Sequence, residues 1–120
     1  MRILVVDDDD FSGEMTVAIL EDAGYETVMV DSGVEAVETL AGDPGFAAVV
    51  SDMHMPFVNG LELFVALRDE GCHLPFILLS GESPEALRQL EPRLDACLAK
   101  DSHLEHGLPQ ALDRVLAARS

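Results

Sequence analysis

Five polar side chains capable of joint chemistry recur at equivalent places in the chain: Asp7 and Asp8, Asp52, Ser80 and Lys100. Each stands at or just past the end of a short apolar run: Ile3-Leu4-Val5-Val6, Ala47-Ala48-Val49-Val50, Phe76-Ile77-Leu78-Leu79 and Ala96-Cys97-Leu98-Ala99. If the runs lie side by side, three carboxylates, one hydroxyl and one ammonium share a small volume. Crowded carboxylates raise one another's pKa and lose hydration, and a bound cation relieves both costs. Hard oxygen donors select Mg2+, with Mn2+ as the alternative, and Mg2+ completes its shell with waters and phosphate oxygens. The composition therefore points to phosphoryl chemistry, in which a metal, a lysine and a hydroxyl neutralise the three equatorial oxygens. The remaining carboxylate is the nucleophile. Asp7 and Asp8 are adjacent and suit metal binding, whereas Asp52 stands alone facing Ser80 and Lys100, so Asp52 is assigned that role.

The elements that must position these groups follow from the hydrophobic pattern. Four-residue apolar runs without alternation suit strands covered on both faces, as in a parallel sheet, and Glu26-Thr27-Val28-Met29-Val30 is a fifth, more mixed run. Helical spacing fills the gaps. Met15, Ala18, Ile19 and Leu20 lie before Ala23-Gly24, where Gly24 can close a helix. Ser32 with Glu35 forms a capping-box pattern ahead of Val37 and Leu40. A third helix runs from about Asn59 to near Gly71, a fourth starts near Ser83-Pro84, and a last one carries Leu108, Leu112, Val115 and Leu116. Ser102 with Glu105 would leave Pro109 seven positions into that helix, so its regular part is expected closer to His106, with Pro109 in the first turn. Strand and helix alternating five times predict an α/β fold, a parallel sheet between two helix layers. In an open sheet of this kind the carboxyl ends of the strands line one crevice, which would bring the five polar groups together.

The whole chain sets outer bounds. Its 120 residues suffice for one core and are too few for two ordinary domains, so residues 1–120 are expected to form one domain. Hydrophobic residues at 48% and charged residues at 25% suit a soluble globular protein. A formal net charge of −16 argues against direct binding to a nucleic-acid backbone. The sequence has neither a signal-peptide pattern nor an apolar run of about 18 residues. A cytoplasmic setting with Cys72 and Cys97 as ordinary reduced thiols is expected, with no membrane partner.

Neighbouring polar residues have plainer roles. Asp9 or Asp10 is expected to cap the first helix. His54 belongs at the rim of the site, tuning access of water to it, and His73, His103 and His106 show no metal-ligand spacing. Ser80 alone would read as a hydroxyl closing a strand, and Lys100 alone as a solvated charge. Their joint placement at successive strand ends favours the shared site.

The segments Ile3-Leu4-Val5-Val6-Asp7-Asp8-Asp9-Asp10, Ser51-Asp52-Met53-His54-Met55-Pro56-Phe57-Val58-Asn59-Gly60, Leu79-Ser80 and Ala99-Lys100 resemble the receiver domain of two-component response regulators. The likeness covers almost the entire chain in order, and its Asp-x-x-Met-Pro-x-x-x-Gly stretch is its most specific part. The resemblance implies a flavodoxin-like, doubly wound sheet of five parallel strands in the order 2-1-3-4-5 with five helices. It implies transfer of a phosphoryl group to Asp52 from a histidine kinase or histidine phosphotransfer protein. It also implies Mg2+ held by Asp7, Asp8, Asp52 and the backbone carbonyl of His54, and phosphoryl contacts from Ser80 and Lys100. Movement of Ser80 would then switch the face formed by helix four, strand five and helix five, which meets an effector domain or output protein. The expected assembly is a monomer or a phosphorylation-dependent dimer, without turnover of a separate substrate.

Three positions depart from the family pattern. Asp101 stands where the family commonly has Pro after a cis bond, and a cis bond to a non-proline residue costs roughly 3 kcal/mol, so the loop carrying Lys100 is expected to differ. Cys97 occupies the switch position where an aromatic residue is usual. The Ser80 to Lys100 interval is short and contains Pro92, so helix four is expected to be short or irregular. Two other functions share parts of the pattern. Haloacid-dehalogenase-type phosphatases place Asp-x-Asp after strand one, which Asp7-x-Asp9 or Asp8-x-Asp10 could imitate, but they leave Met55-Pro56 and Gly60 unexplained. A docking module that is no longer phosphorylated would not need the complete set with Ser80 and Lys100.

Overall fold

A computed structural model describes residues 1–119. The apolar runs form β1 (Arg2–Val6), β2 (Glu26–Val30), β3 (Phe46–Asp52), β4 (Phe76–Ser80) and β5 (Ala96–Ala99). They pair in parallel in the order β2-β1-β3-β4-β5. Between and after them lie α1 (Asp10–Asp22), α2 (Gly33–Gly42), α3 (Gly60–Asp69), α4 (Pro84–Leu90) and α5 (Leu104–Arg119). The fold is the flavodoxin-like one expected from the sequence.

Strand alternation distributes the core to two faces. Leu4, Val6, Val49, Phe76 and Leu78 pack with Leu63, Phe64 and Leu67 of α3 and Leu87 of α4, while Ile3, Val5, Val50, Ile77 and Leu79 pack with Leu20 of α1 and Leu108 and Leu112 of α5. Because both faces are covered, successive residues of the inner strands β1, β3 and β4 are nearly all buried, β4 along its full length, while the edge strand β2 buries fully only Val30.

Local signals set the helix ends. Asp9 caps α1, its carboxylate accepting from the backbone N–H groups of Phe11 and Ser12; at the other end Gly24 takes φ +95°, a conformation open to residues without a Cβ. Ser32 accepts from the N–H of Glu35 at the start of α2. A full capping box forms at α3, where Asn59 and Glu62 satisfy each other's backbone N–H. As expected, α4 is short, at seven residues.

Helix α5 corrects the sequence expectation. It begins at Leu104 rather than near His106, and Pro109 lies inside it. The segment after Lys100 closes quickly: the Asp101 carboxylate accepts from the N–H of His103, and the Asp101 carbonyl accepts from Leu104. The helix therefore starts as soon as that turn ends. Pro109 leaves the Glu105 carbonyl without its usual donor, and Glu105 is exposed, so water can replace the missing bond.

Candidate functional site

Each strand end delivers its expected residue. Asp7 follows β1 and is 2% exposed, Asp52 ends β3 at 8%, and Ser80 ends β4 fully buried, while Asp8 is exposed. A carboxylate oxygen from each of Asp7, Asp8 and Asp52 lies within 4.8 Å of the others, the sole grouping among the described residues with the donors and spacing to hold a metal ion. Its donors are oxygens alone, and the exposed Asp8 leaves the cluster open to solvent on one side. These features fit a hard divalent cation that retains waters.

Lys100, the only lysine in the chain, turns inward from the end of β5. Its ammonium nitrogen stands 2.9 Å from Oδ1 of Asp52, 3.4 Å from Oδ2 of Asp7 and 2.7 Å from Oγ of Ser12. Its backbone N–H donates to the carbonyl of Ser80 at 2.9 Å. The Ser80 hydroxyl accepts from the N–H of Glu82 at 3.0 Å, the first step of the segment leading into α4. Asp7, Asp8, Asp52 and Lys100 thus come together, and Ser80 is joined to them through its main-chain carbonyl.

The electrostatics are those of a crowded acidic pocket with one cation. Burial pushes the Asp52 carboxyl above its ordinary range; the hydrogen bond and charge of Lys100 pull it down without cancelling the shift, and the charges of Asp7 and Asp8 add to it. For Lys100, burial acts to lower the pKa, but the hydrogen bond and charge of Asp52, with the charge of Asp7, more than offset it and the net shift is upward.

Backbone packing fixes Asp52. Its carbonyl accepts from the Ser51 hydroxyl at 2.9 Å, and the N–H of Met53 donates to Leu79. At the start of α3, a Cβ added to Gly60 would lie 2.6 Å from the Asp52 carbonyl oxygen and 2.4 Å from Cδ1 of Leu78. Only glycine permits this approach of α3 to the loop following Asp52. In that loop Phe57 adopts φ +68° and is 99% exposed, an uncommon conformation for a bulky residue.

His54, two residues past Asp52, is exposed, its ring 3.3 Å from the Glu82 carboxylate. Cys97 is buried beside α4, packed in the cluster that contains Leu87 and Leu94, and burial raises its thiol pKa. The peptide bond from Lys100 to Asp101 is trans, as are the others among the described residues. Asp9 is committed to capping α1, which leaves the Asp7-x-Asp9 spacing without a free second acid.

Sequence reasoning missed Ser12. A serine inside an amphipathic helix carries no signal by type, and its relevance arises only because the first turn of α1 passes beside the end of β5. The groove between α1 and the segment after β5, about 990 Å3 in volume, is lined by both Ser12 and Lys100.

Comparison with known proteins agrees with this geometry. A family model described as the response regulator receiver domain matches residues 3–112. Response regulator MprA of Mycobacterium avium is 37% identical over 117 residues, covering 98% of this chain and 48% of that protein. The sensory/regulatory protein RpfC of Xanthomonas campestris pv. campestris is 32% identical over 96 residues, covering 76% of this chain and 13% of that protein. Among solved structures, response regulator protein TrrA of Thermotoga maritima, in complex with Mg2+ and BeF, superposes with a TM-score of 0.85 at 26% identity, covering 95% of this chain and 97% of that one. The chain spans about half the length of MprA and a smaller part of RpfC.

Proposed function

The chain belongs to the response regulator receiver domain family of two-component signalling, and on that footing we propose that residues 1–120 form one Mg2+-dependent phosphoacceptor domain whose acceptor is Asp52. The observation that carries the proposal is the placement of Asp52 between three partners: the acids Asp7 and Asp8 on one side, the Lys100 ammonium at 2.9 Å, and the end of β4, which carries Ser80.

In the proposed reaction a carboxylate oxygen of Asp52 attacks the phosphorus of a phosphohistidine. The new bond is an acyl phosphate; the bond from phosphorus to the donor imidazole breaks, its electron pair leaves on the ring nitrogen, and that nitrogen takes a proton from solvent. Asp7, Asp8, Asp52 and the backbone carbonyl of His54 would hold Mg2+, which supplies positive charge to the phosphoryl oxygens when bound. The oxygen-only donor set supports that ion, as does the Mg2+ and BeF complex of the TrrA relative. Lys100 contributes a fixed cation that needs no reorganisation at the moment of transfer. Ser80 supplies a hydroxyl whose present partner is the N–H of Glu82. Turning that hydroxyl to the phosphoryl group frees the Glu82 backbone, and the change passes into α4 and the face of α4, β5 and α5. Phosphodonors are a histidine kinase or phosphotransfer protein, and the reader of the switched face is an effector domain or output protein.

Amide NMR with Mg2+ and beryllofluoride tests the reading. Expected are shifts at Asp52, Ser80, Glu82 and Lys100 in the wild type and their loss in Asp52→Asn. An unchanged wild-type spectrum would favour a docking module.

A further inference from the structure

From the contacts of Lys100 we infer that Ser12 is a positioning residue for the phosphoryl-transfer site, holding the Lys100 ammonium in register with Asp52; the inference rests on the phosphoacceptor reading above.

An ammonium carries three N–H donors, and the oxygens around Lys100 number three: Oδ1 of Asp52 at 2.9 Å, Oδ2 of Asp7 at 3.4 Å and Oγ of Ser12 at 2.7 Å. The shortest contact is therefore to a neutral hydroxyl outside the acidic set. Asp52 and Asp7 are groups whose surroundings change during the reaction: one gains a phosphoryl group and the other would share a metal. Ser12 takes no part in either event, so it is the one acceptor that stays constant as the other two change.

Ser12 is also rigidly placed. It lies in the first turn of α1, where Asp9 caps its N–H and the Gly13 N–H bonds back to Asp9. Its carbonyl accepts from the hydroxyl of the buried Thr16 at 3.2 Å. Lys100, by contrast, extends from the end of β5 into a trans-linked segment, with its side chain 25% exposed to the groove. A long lysine side chain at such an opening loses several rotamers when it is held in place, and the Ser12 contact holds the ammonium within the groove that both residues line. Positioning of a charged group before reaction is where catalytic benefit arises, since misplacement by even about 1 Å can be costly.

The test compares wild type, Ser12→Ala and Ser12→Thr. The first readout is phosphorylation by acetyl phosphate at saturating donor and Mg2+. Ser12→Ala is expected to react about tenfold more slowly with unchanged half-saturation by Mg2+, and Ser12→Thr, which keeps the hydroxyl, to recover to within about twofold of wild type. The second readout is NMR of lysine-selectively labelled protein, in which Lys100 gives the only lysine signal. Its side-chain signal should shift and sharpen toward that of a free lysine in Ser12→Ala and return in Ser12→Thr. Ser12→Ala reacting as fast as wild type, or Ser12→Thr as slow as Ser12→Ala, overturns the inference. Failure of the wild type to take up phosphate would overturn the phosphoacceptor reading instead, and the lysine signal would still decide whether Ser12 positions Lys100: an unchanged signal in Ser12→Ala refutes it.

Discussion

Lys100 at the end of β5 reaches across β4 to Asp52 at the end of β3, the ammonium lying 2.9 Å from Oδ1. Ser80 ends the strand between them, and its carbonyl accepts the backbone N–H of Lys100 at 2.9 Å. Asp52, Ser80 and Lys100 thus stand at the ends of three successive strands, with the last two joined through the main chain. Under the proposed function, a displacement of Lys100 would act on the end of β4 through this main-chain bond and so reach the segment before α4 without an aromatic side chain at position 97.

Asp52→Asn is predicted to stabilise the metal-free domain at neutral pH. The folded-state pKa of Asp52 is raised, chiefly by burial. Such a carboxyl contributes stability that is fully present below its unfolded value, 3.8, and is lost as pH rises through the folded value, so at pH 7 its charge opposes folding. Thermal melts without Mg2+ should show the variant higher by roughly a few degrees, the gap closing in acid. Added Mg2+ should raise the wild type more than the variant. A lower melting temperature for Asp52→Asn at pH 7 without metal would be inconsistent with this electrostatic account.

Gly60→Ala should damage both stability and phosphorylation. Its new Cβ would meet the Asp52 carbonyl oxygen at 2.6 Å and Leu78 at 2.4 Å, and a backbone atom cannot give way as a side-chain tip can. A cost of about 2–3 kcal/mol is expected from overpacking, read by denaturant unfolding, together with displaced amide signals at Asp52 and Met53. Wild-type stability in this variant would mean that α3 does not constrain the acceptor.

Phe57→Asn should do the reverse. Phe57 holds φ +68° while burying almost nothing, being 99% exposed, and Asn tolerates that conformation better. A gain of about 1 kcal/mol is expected. A loss of stability on chemical unfolding would indicate that the phenyl ring makes contacts worth more than its backbone strain.

The sequence carried most of this arrangement because one physical rule does most of the placing. Runs such as Phe76-Ile77-Leu78-Leu79 cannot form amphipathic surface strands, so they must be interior, and interior parallel strands bring their ends together. Asp7, Asp8, Asp52, Ser80 and Lys100 are all legible by that rule. Ser12 is not, because its role depends on how far the first turn of α1 lies from β5, a tertiary distance with no local signature. The start of α5 differs from expectation for a related reason: proline's cost inside a helix argues for a start nearer His106, whereas the Asp101 turn starts the helix at Leu104 and the exposed Glu105 leaves its carbonyl open to water.

The lone tyrosine offers a pH test of the packing between α5 and the segment leading into β2. Tyr25 donates its hydroxyl to Asp113; burial, that hydrogen bond and the Asp113 charge raise its pKa from 10.0 to about 12. Stability from this group is fully present below pH 10.0 and is lost as pH rises toward about 12. Tyrosinate absorbance has a single reporter here, since the chain has one Tyr and no Trp. Asp113→Asn should lower its midpoint toward the ordinary value without reaching it, because burial remains. A wild-type midpoint at 10.0 would rule out the contact.

The most direct test of the central claim is mass spectrometry after incubation with acetyl phosphate and Mg2+, followed by borohydride reduction and peptide mapping. The account predicts one phosphoryl group per chain, labile to hydroxylamine, with the reduced residue at position 52 and no labelling in Asp52→Asn. Labelling at Asp7, Asp8 or a hydroxyl, or equal labelling of the Asp52→Asn variant, would contradict it.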